Sequence, residues 1–152
     1  MGPYRIHPNP SGLGTTGVNN RGRGCYESFM AVPKMRVDKS FFSSREEVMQ
    51  DIAKTGFWPH TFVSGKSPEL PLHYHEHDVI GYVIEGETYL LDEEEKKVPI
   101  CAGDRLDFPK GSWHAEGEVT DRVVYIVTLK EPIPLLEGVM PMEPRGPFPS
   151  FD

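Results

Sequence analysis

The sequence predicts an all-β barrel or sandwich with one short helix and extended arms at both ends. Three observations carry this. Between Phe57 and Lys130, short apolar or alternating runs recur at regular spacing, each bounded by a turn signal. Glycine and proline, fifteen of each in 152 residues, interrupt the chain too often for long helices. Only one stretch, Ser44 to Gly56, combines a helix start, a helical period and a helix stop.

Residues 1–24 are rich in Gly, Pro, Asn and Arg without a sustained period, and read as an extended arm. Ser44-Arg45-Glu46-Glu47 matches a capping box, in which the serine hydroxyl and the glutamate carboxylate satisfy each other's free backbone N–H groups. Val48, Ile52 and Ala53 recur at helical spacing, and Gly56 closes the helix. Its narrow apolar stripe suits a helix resting on the outside of a barrel. Strands are expected at 58–64, 70–75, 79–85, 87–91, 96–100, 105–108, 112–118 and 122–129. Turn signals separate them, among them Glu85-Gly86, Ala102-Gly103-Asp104 and Pro109-Lys110-Gly111. The acidic run Asp92-Glu93-Glu94-Glu95 falls between two strands and reads as a solvated hairpin turn rather than a metal site. Residues 131–152 hold six prolines and read as a tail. The length suits one domain, divided into an arm with its helix (1–56), a barrel (57–130) and a Pro-rich tail (131–152), with no internal repeat.

Sixteen basic against twenty-three acidic residues give a net charge of −7. That argues against nucleic acid or an anionic membrane as partner, since phosphate binding needs clustered Lys and Arg. No apolar run approaches the ~20 residues of a membrane helix. Met1-Gly2-Pro3-Tyr4-Arg5 lacks the apolar core of a signal peptide, so a cytoplasmic protein is expected. Cys25 and Cys101 stand far apart, outside any C-x-x-C arrangement, and are expected to be free thiols.

Three of six histidines crowd into His73-Tyr74-His75-Glu76-His77. In an extended segment alternate residues share a face, so 73, 75 and 77 would point the same way. Two imidazoles so placed can share one metal ion at about 2.0–2.1 Å. A further histidine, His114, follows two turn signals in Gly103-Asp104-Arg105-Leu106-Asp107-Phe108-Pro109-Lys110-Gly111-Ser112-Trp113-His114.

Here the sequence resembles the cupin superfamily, whose two motifs run G-x5-H-x-H-x3or4-E-x6-G and G-x5-P-x-G-x2-H-x3-N. The second fits at Gly103, Pro109, Gly111 and His114, and the first at His73, His75 and Gly86. The resemblance covers roughly residues 60–130 and implies a double-stranded β-helix, or jelly-roll barrel, around one divalent metal ion. It implies His73, His75 and His114 as ligands. Three positions depart from the pattern: the family's glutamate ligand falls at Val79, the leading glycine (Gly65) comes two residues early, and the closing asparagine is Glu118. Val79 and Gly81 would leave an apolar, roomy wall beside the metal. His77, Glu116 or water completes the metal sphere, Glu116 sharing a strand face with His114. Glu116 and His77 are also the candidate acid–base groups.

Other residues have plainer expectations. His60 is expected to be a hydrogen-bonded structural histidine and Trp113 to pack on the outer sheet. Any of Tyr82, Tyr89 and Tyr125 could reach the cavity. Arg105 and Arg122 are expected on the surface, with anion binding as the alternative.

Three neutral imidazoles with open positions suit Fe, Mn, Ni, Cu or Zn. The resemblance then implies a metal-dependent enzyme (dioxygenase-like, isomerase or lyase) acting on a small oxygenated or anionic substrate. Oxygenase chemistry is favoured because His-rich open sites suit a redox metal. The other class is a non-catalytic module that binds or senses a small molecule. A homodimer is expected, with the N-terminal region to about Phe42 covering a partner's sheet edge.

Overall fold

The structure, a computed structural model, describes residues 31–144. Its elements run β1 (Arg36–Asp38), α1 (Arg45–Thr55), β2 (Trp58–Ser64), β3 (Val79–Glu85), β4 (Glu87–Leu91), β5 (Lys97–Cys101), β6 (Arg105–Phe108), β7 (Ala115–Glu116), β8 (Val123–Leu129) and α2 (Leu135–Gly138). The strands pair antiparallel in two sheets, one of order β1-β6-β3-β8-β2 and one of order β5-β4-β7. Both sheets contribute to one core that contains Val79, Val83, Leu90, Ile100, Leu106, Phe108, Val123 and Leu129. This is the jelly-roll barrel that the motifs imply.

Strand alternation explains how β3 holds the molecule together. Val79, Gly81 and Val83 face the barrel interior, while Ile80, Tyr82 and Ile84 face outward beneath α1. The helix lays Val48 and Ile52 on that outer face, each such side chain worth about 1.5–3 kcal/mol when fully buried. Its ends form as expected: Ser44 Oγ accepts from the Glu47 N–H at 3.3 Å, and Glu47 accepts from the Ser44 N–H at 3.3 Å. Gly56 takes φ 72° at the C-cap. Arg105 projects to this outer side, against Asp51 (3.0 Å) and Asp38 (3.2 Å), and Tyr82 donates to Asp51 at 2.6 Å. Arg105, expected on the surface, is instead buried and ties helix to sheet, while Arg122 is exposed as expected and pairs with Glu85. The acidic hairpin is a turn, with Asp92 Oδ1 accepting from the N–H groups of Glu94 and Lys96.

Four elements differ from the sequence expectation. No regular strand spans 70–75; only the bridges His73–His114 and Tyr74–Met142 form there. Pro71 removes a backbone donor that a ladder there would need. The strand expected at 112–118 contracts to β7. β1 was not anticipated, because three residues are too short to show a period. The expectation of one helix is also corrected: α2 begins directly after Pro134, in a segment whose prolines read as tail. Of the region expected to reach a partner, Arg36–Asp38 pairs instead with β6 of its own chain, and residues 1–30 lie outside the described residues. Among the described residues no helix is long and apolar enough to cross a membrane.

Candidate metal centre

Two backbone contacts bring the histidine motifs together. His73 and His114 exchange N–H···O bonds of 2.9 Å in each direction, an antiparallel bridge that sets their side chains side by side. His75 lies two residues further along and shares the face. The turn before His114 is pinned by Gly111, whose φ of 83° favours glycine and whose N–H donates to the His75 carbonyl at 3.0 Å.

Each imidazole then has its Nδ1 against a backbone carbonyl: His73 on Pro71 (2.8 Å), His75 on Met140 (3.2 Å) and His114 on Ser112 (2.9 Å). A carbonyl can only accept, so Nδ1 carries the hydrogen and every Nε2 presents a lone pair. Those lone pairs converge. His75 Nε2 and His114 Nε2 stand 3.2 Å apart, and Glu116 Oε2 stands 3.2 Å from His73 Nε2. Potential ligand atoms of His73, His75, His114 and Glu116 all lie within 4.8 Å of one another. His73 Nε2 and Glu116 Oε2 are buried with no hydrogen-bond partner. Acceptors facing acceptors in a buried place repel unless a cation sits among them, so these four residues fit a divalent metal ion.

The electrostatics agree with neutral ligands. Burial pushes the His75 imidazole down to about 4, against the opposing pull of the Met140 carbonyl and with help from the charges of His73 and His77. Burial, then His75 and His73, holds His114 well below the ordinary histidine range. A depressed folded pKa means that the unfolded chain takes up a proton first as pH falls. Stability present above about pH 6.5 is therefore lost on descending toward pH 4, on the order of 3 kcal/mol for His75. Urea unfolding of the metal-free protein at pH 7 and pH 4.5 checks this. The loss should be visibly smaller in His75→Gln, and equal losses in the two proteins would contradict it.

Beside the cluster lies a cavity of about 380 Å³, lined at one point by His73, His75 and Glu116. Val79 and Gly81 form part of its wall, as the sequence suggests. Phe108 packs against the His114 ring, with centroids 4.4 Å apart, on the apolar side of the cluster. Of the three tyrosines considered, Tyr125 lines the cavity, and burial together with the nearby Glu116 charge pushes its phenol up to about 12. Tyr82 faces α1, and Tyr89 donates to Glu69 at 2.6 Å on the surface.

Glu116 joins the three histidines, and His77 does not. Half-buried His77 is felt at His75 through its charge but offers no ligand atom to the group. His60 is absent from the cavity lining, and its buried Nε2 makes no hydrogen bond, so the expected hydrogen-bonded structural role is not met. Half-buried Trp113 also stays off the lining. Sequence reasoning missed the three carbonyls that fix the imidazoles. Backbone oxygens leave no signature in a sequence, and that of Met140 comes from a segment that reads as tail.

A family model described as cupin domain matches residues 60–129, the stretch that carries both histidine motifs. Residues 60–129 of this chain form a cupin domain. No curated protein matches the sequence. Similar solved structures include a DUF861 family protein from Thermotoga maritima, 22% identical over 62% of this chain and 98% of that one, with a TM-score of 0.47. An RmlC-like cupin protein from Desulfovibrio desulfuricans is 28% identical over 49% of this chain and 72% of its own, with a TM-score of 0.40. The polyketide cyclase RemF from Streptomyces resistomycificus is 25% identical over 49% of this chain and 55% of its own, again with a TM-score of 0.40.

Proposed function

We propose that this protein is a metal-dependent enzyme that moves a proton on a small oxygenated substrate, in the manner of an isomerase or lyase. The observation that carries this reading is Glu116, a carboxylate on the cavity wall 3.2 Å from His73 Nε2 and 3.9 Å from His114 Nε2. A divalent ion held by His73, His75 and His114 would polarise a substrate oxygen and stabilise negative charge developing there. Glu116 is then the group that takes a proton from the substrate, and its half-exposed side chain has room to swing toward it. Tyr125, neutral at physiological pH, shares the cavity and can donate a hydrogen bond or return a proton. Two ionisable groups in one cavity, one able to accept and one able to donate, are what proton transfer requires.

Dioxygenase chemistry ranks second, supported by the histidine-rich donor set. A non-catalytic binding module is the remaining class, and the largely apolar cavity supports it. One assay separates the three. The protein, reconstituted anaerobically with Mn, Fe, Ni, Cu or Zn, is offered pools of small hydroxy and keto compounds in D₂O, with and without O₂. Deuterium incorporation or elimination without O₂ uptake is expected. O₂ consumption would move the reading to an oxygenase, and binding without turnover to the module.

Assembly and compartment belong to the same proposal. β2 ends the five-stranded sheet, with Trp58 and Val63 exposed along it, and a second copy would cover this open edge in a homodimer. The free thiol of exposed Cys101 supports a reducing, cytoplasmic setting; Cys25 lies outside the described residues.

A further inference from the structure

Resting on the metal-site reading above, we propose that the ligand has one oxygen-bearing head of at most a single negative charge and an apolar body of about eight carbons. Gly81 and the segment from Ile133 to Met142 set the size of that body.

Charge decides the head. No lysine or arginine lines the cavity, and Glu116 adds a negative charge to it. The divalent ion and the Glu116 carboxylate together leave one positive charge to offset, so a second negative charge on the ligand would be buried without a counter-charge, which is costly. The hydroxyls that face the cavity narrow the choice further. Ser64 already donates to the Gly65 carbonyl and Thr88 to the Glu118 carbonyl, which leaves the hydroxyls of Ser67 and Tyr125 to meet the polar head and little for a polar body.

Volume and walls decide the body. At ~30 Å³ per water-sized group, about 380 Å³ admits roughly a dozen such groups, head included. Gly81 supplies part of that room. Its φ is not in the left-handed region, and an added Cβ would meet Leu106 Cδ1 at 3.4 Å, an ordinary contact. Neither backbone nor packing demands glycine there, and what its missing side chain provides is space in the cavity. The opposite wall comes from Leu135, Leu136, Val139 and Pro141, outside the matched cupin range. This segment is well anchored. Met142 and Tyr74 exchange two backbone hydrogen bonds, the Met140 carbonyl holds His75 Nδ1, and Ile133, Leu135 and Val139 pack on the inner core. One stretch of chain therefore orients a ligand histidine and shapes the apolar wall.

The test uses the full-length chain loaded with Co(II), with metal content measured first. Straight-chain hydroxamic acids from two to twelve carbons serve as probes. The visible band of Co(II) reports the head, and calorimetry gives Kd. Affinity should rise about fourfold per methylene, peak near eight carbons and then fall. Alkylphosphonate dianions of equal length should bind at least about tenfold more weakly, the unpaired second charge costing on the order of one hydrogen bond to a charged group or more. Gly81→Val should move the optimum to shorter chains while metal content and acetohydroxamate affinity hold. Val139→Phe carries the same expectation from the other wall should Gly81→Val fold poorly. One Co(II) per chain with affinity flat across the series, or an optimum unmoved by both variants, overturns this inference and leaves the metal reading intact. A chain that binds no Co(II) overturns the metal reading and the anchored head with it.

Discussion

Replacing Glu116 by Gln is expected to lower turnover by about 10²–10⁴-fold while leaving fold and metal content in place. Glutamine keeps the shape of the side chain and one acceptor oxygen but cannot take a proton. Its carboxylate sits where such a loss would matter, on the cavity wall and 3.2 Å from the Nε2 of a ligand histidine. The measurement is kcat for wild type and variant on a substrate found in the deuterium assay, beside elemental analysis of both proteins. If Glu116 acts mainly as a fourth ligand, the variant loses metal along with rate, which separates the two roles. Full turnover at full metal content would remove Glu116 from the mechanism.

The second large effect concerns the imidazoles. Replacing His73, His75 or His114 by Ala is expected to weaken divalent metal binding by more than about 100-fold, the upper end of what even a supporting residue costs. His114 should be the most sensitive: it is fully buried, and its Nε2 lies 3.2 Å from that of His75 and 3.9 Å from a Glu116 oxygen. His60→Ala, outside the cavity lining, should retain full metal. Metal titration by calorimetry checks all four variants, with circular dichroism of the metal-free forms as the control for folding. Wild-type affinity in His114→Ala would contradict the assignment.

The parts of this protein that were legible in its sequence are those written in side-chain pattern. β3 could be read because its residues alternate between two apolar faces, and α1 because Ser44, Glu47 and Gly56 each have a local reason to be where they are. The histidine cluster was readable because spacing along an extended segment places His73 and His75 on one face. The pairing that brings in His114 is a long-range backbone bridge, and only the family motif hinted at it. Glu116 and His77 could not be ranked beforehand. Their difference arises from the bend at Glu76 and His77, after which His77 offers no ligand atom to the group, and from β7, which keeps Glu116 in register beside His114. Residues 131–144 were the least legible. Their prolines mask a short helix, a carbonyl that orients His75 and one wall of the cavity, because all three depend on contacts with distant chain rather than on local period.

The central claim, that His73, His75 and His114 form a site for one divalent ion, meets its most direct test in elemental analysis after anaerobic reconstitution and exhaustive desalting. The full-length wild-type chain should retain about one equivalent of a first-row transition metal ion, and the His114→Ala protein almost none. Wild-type protein that retains no metal, or retains as much as His114→Ala, would contradict it.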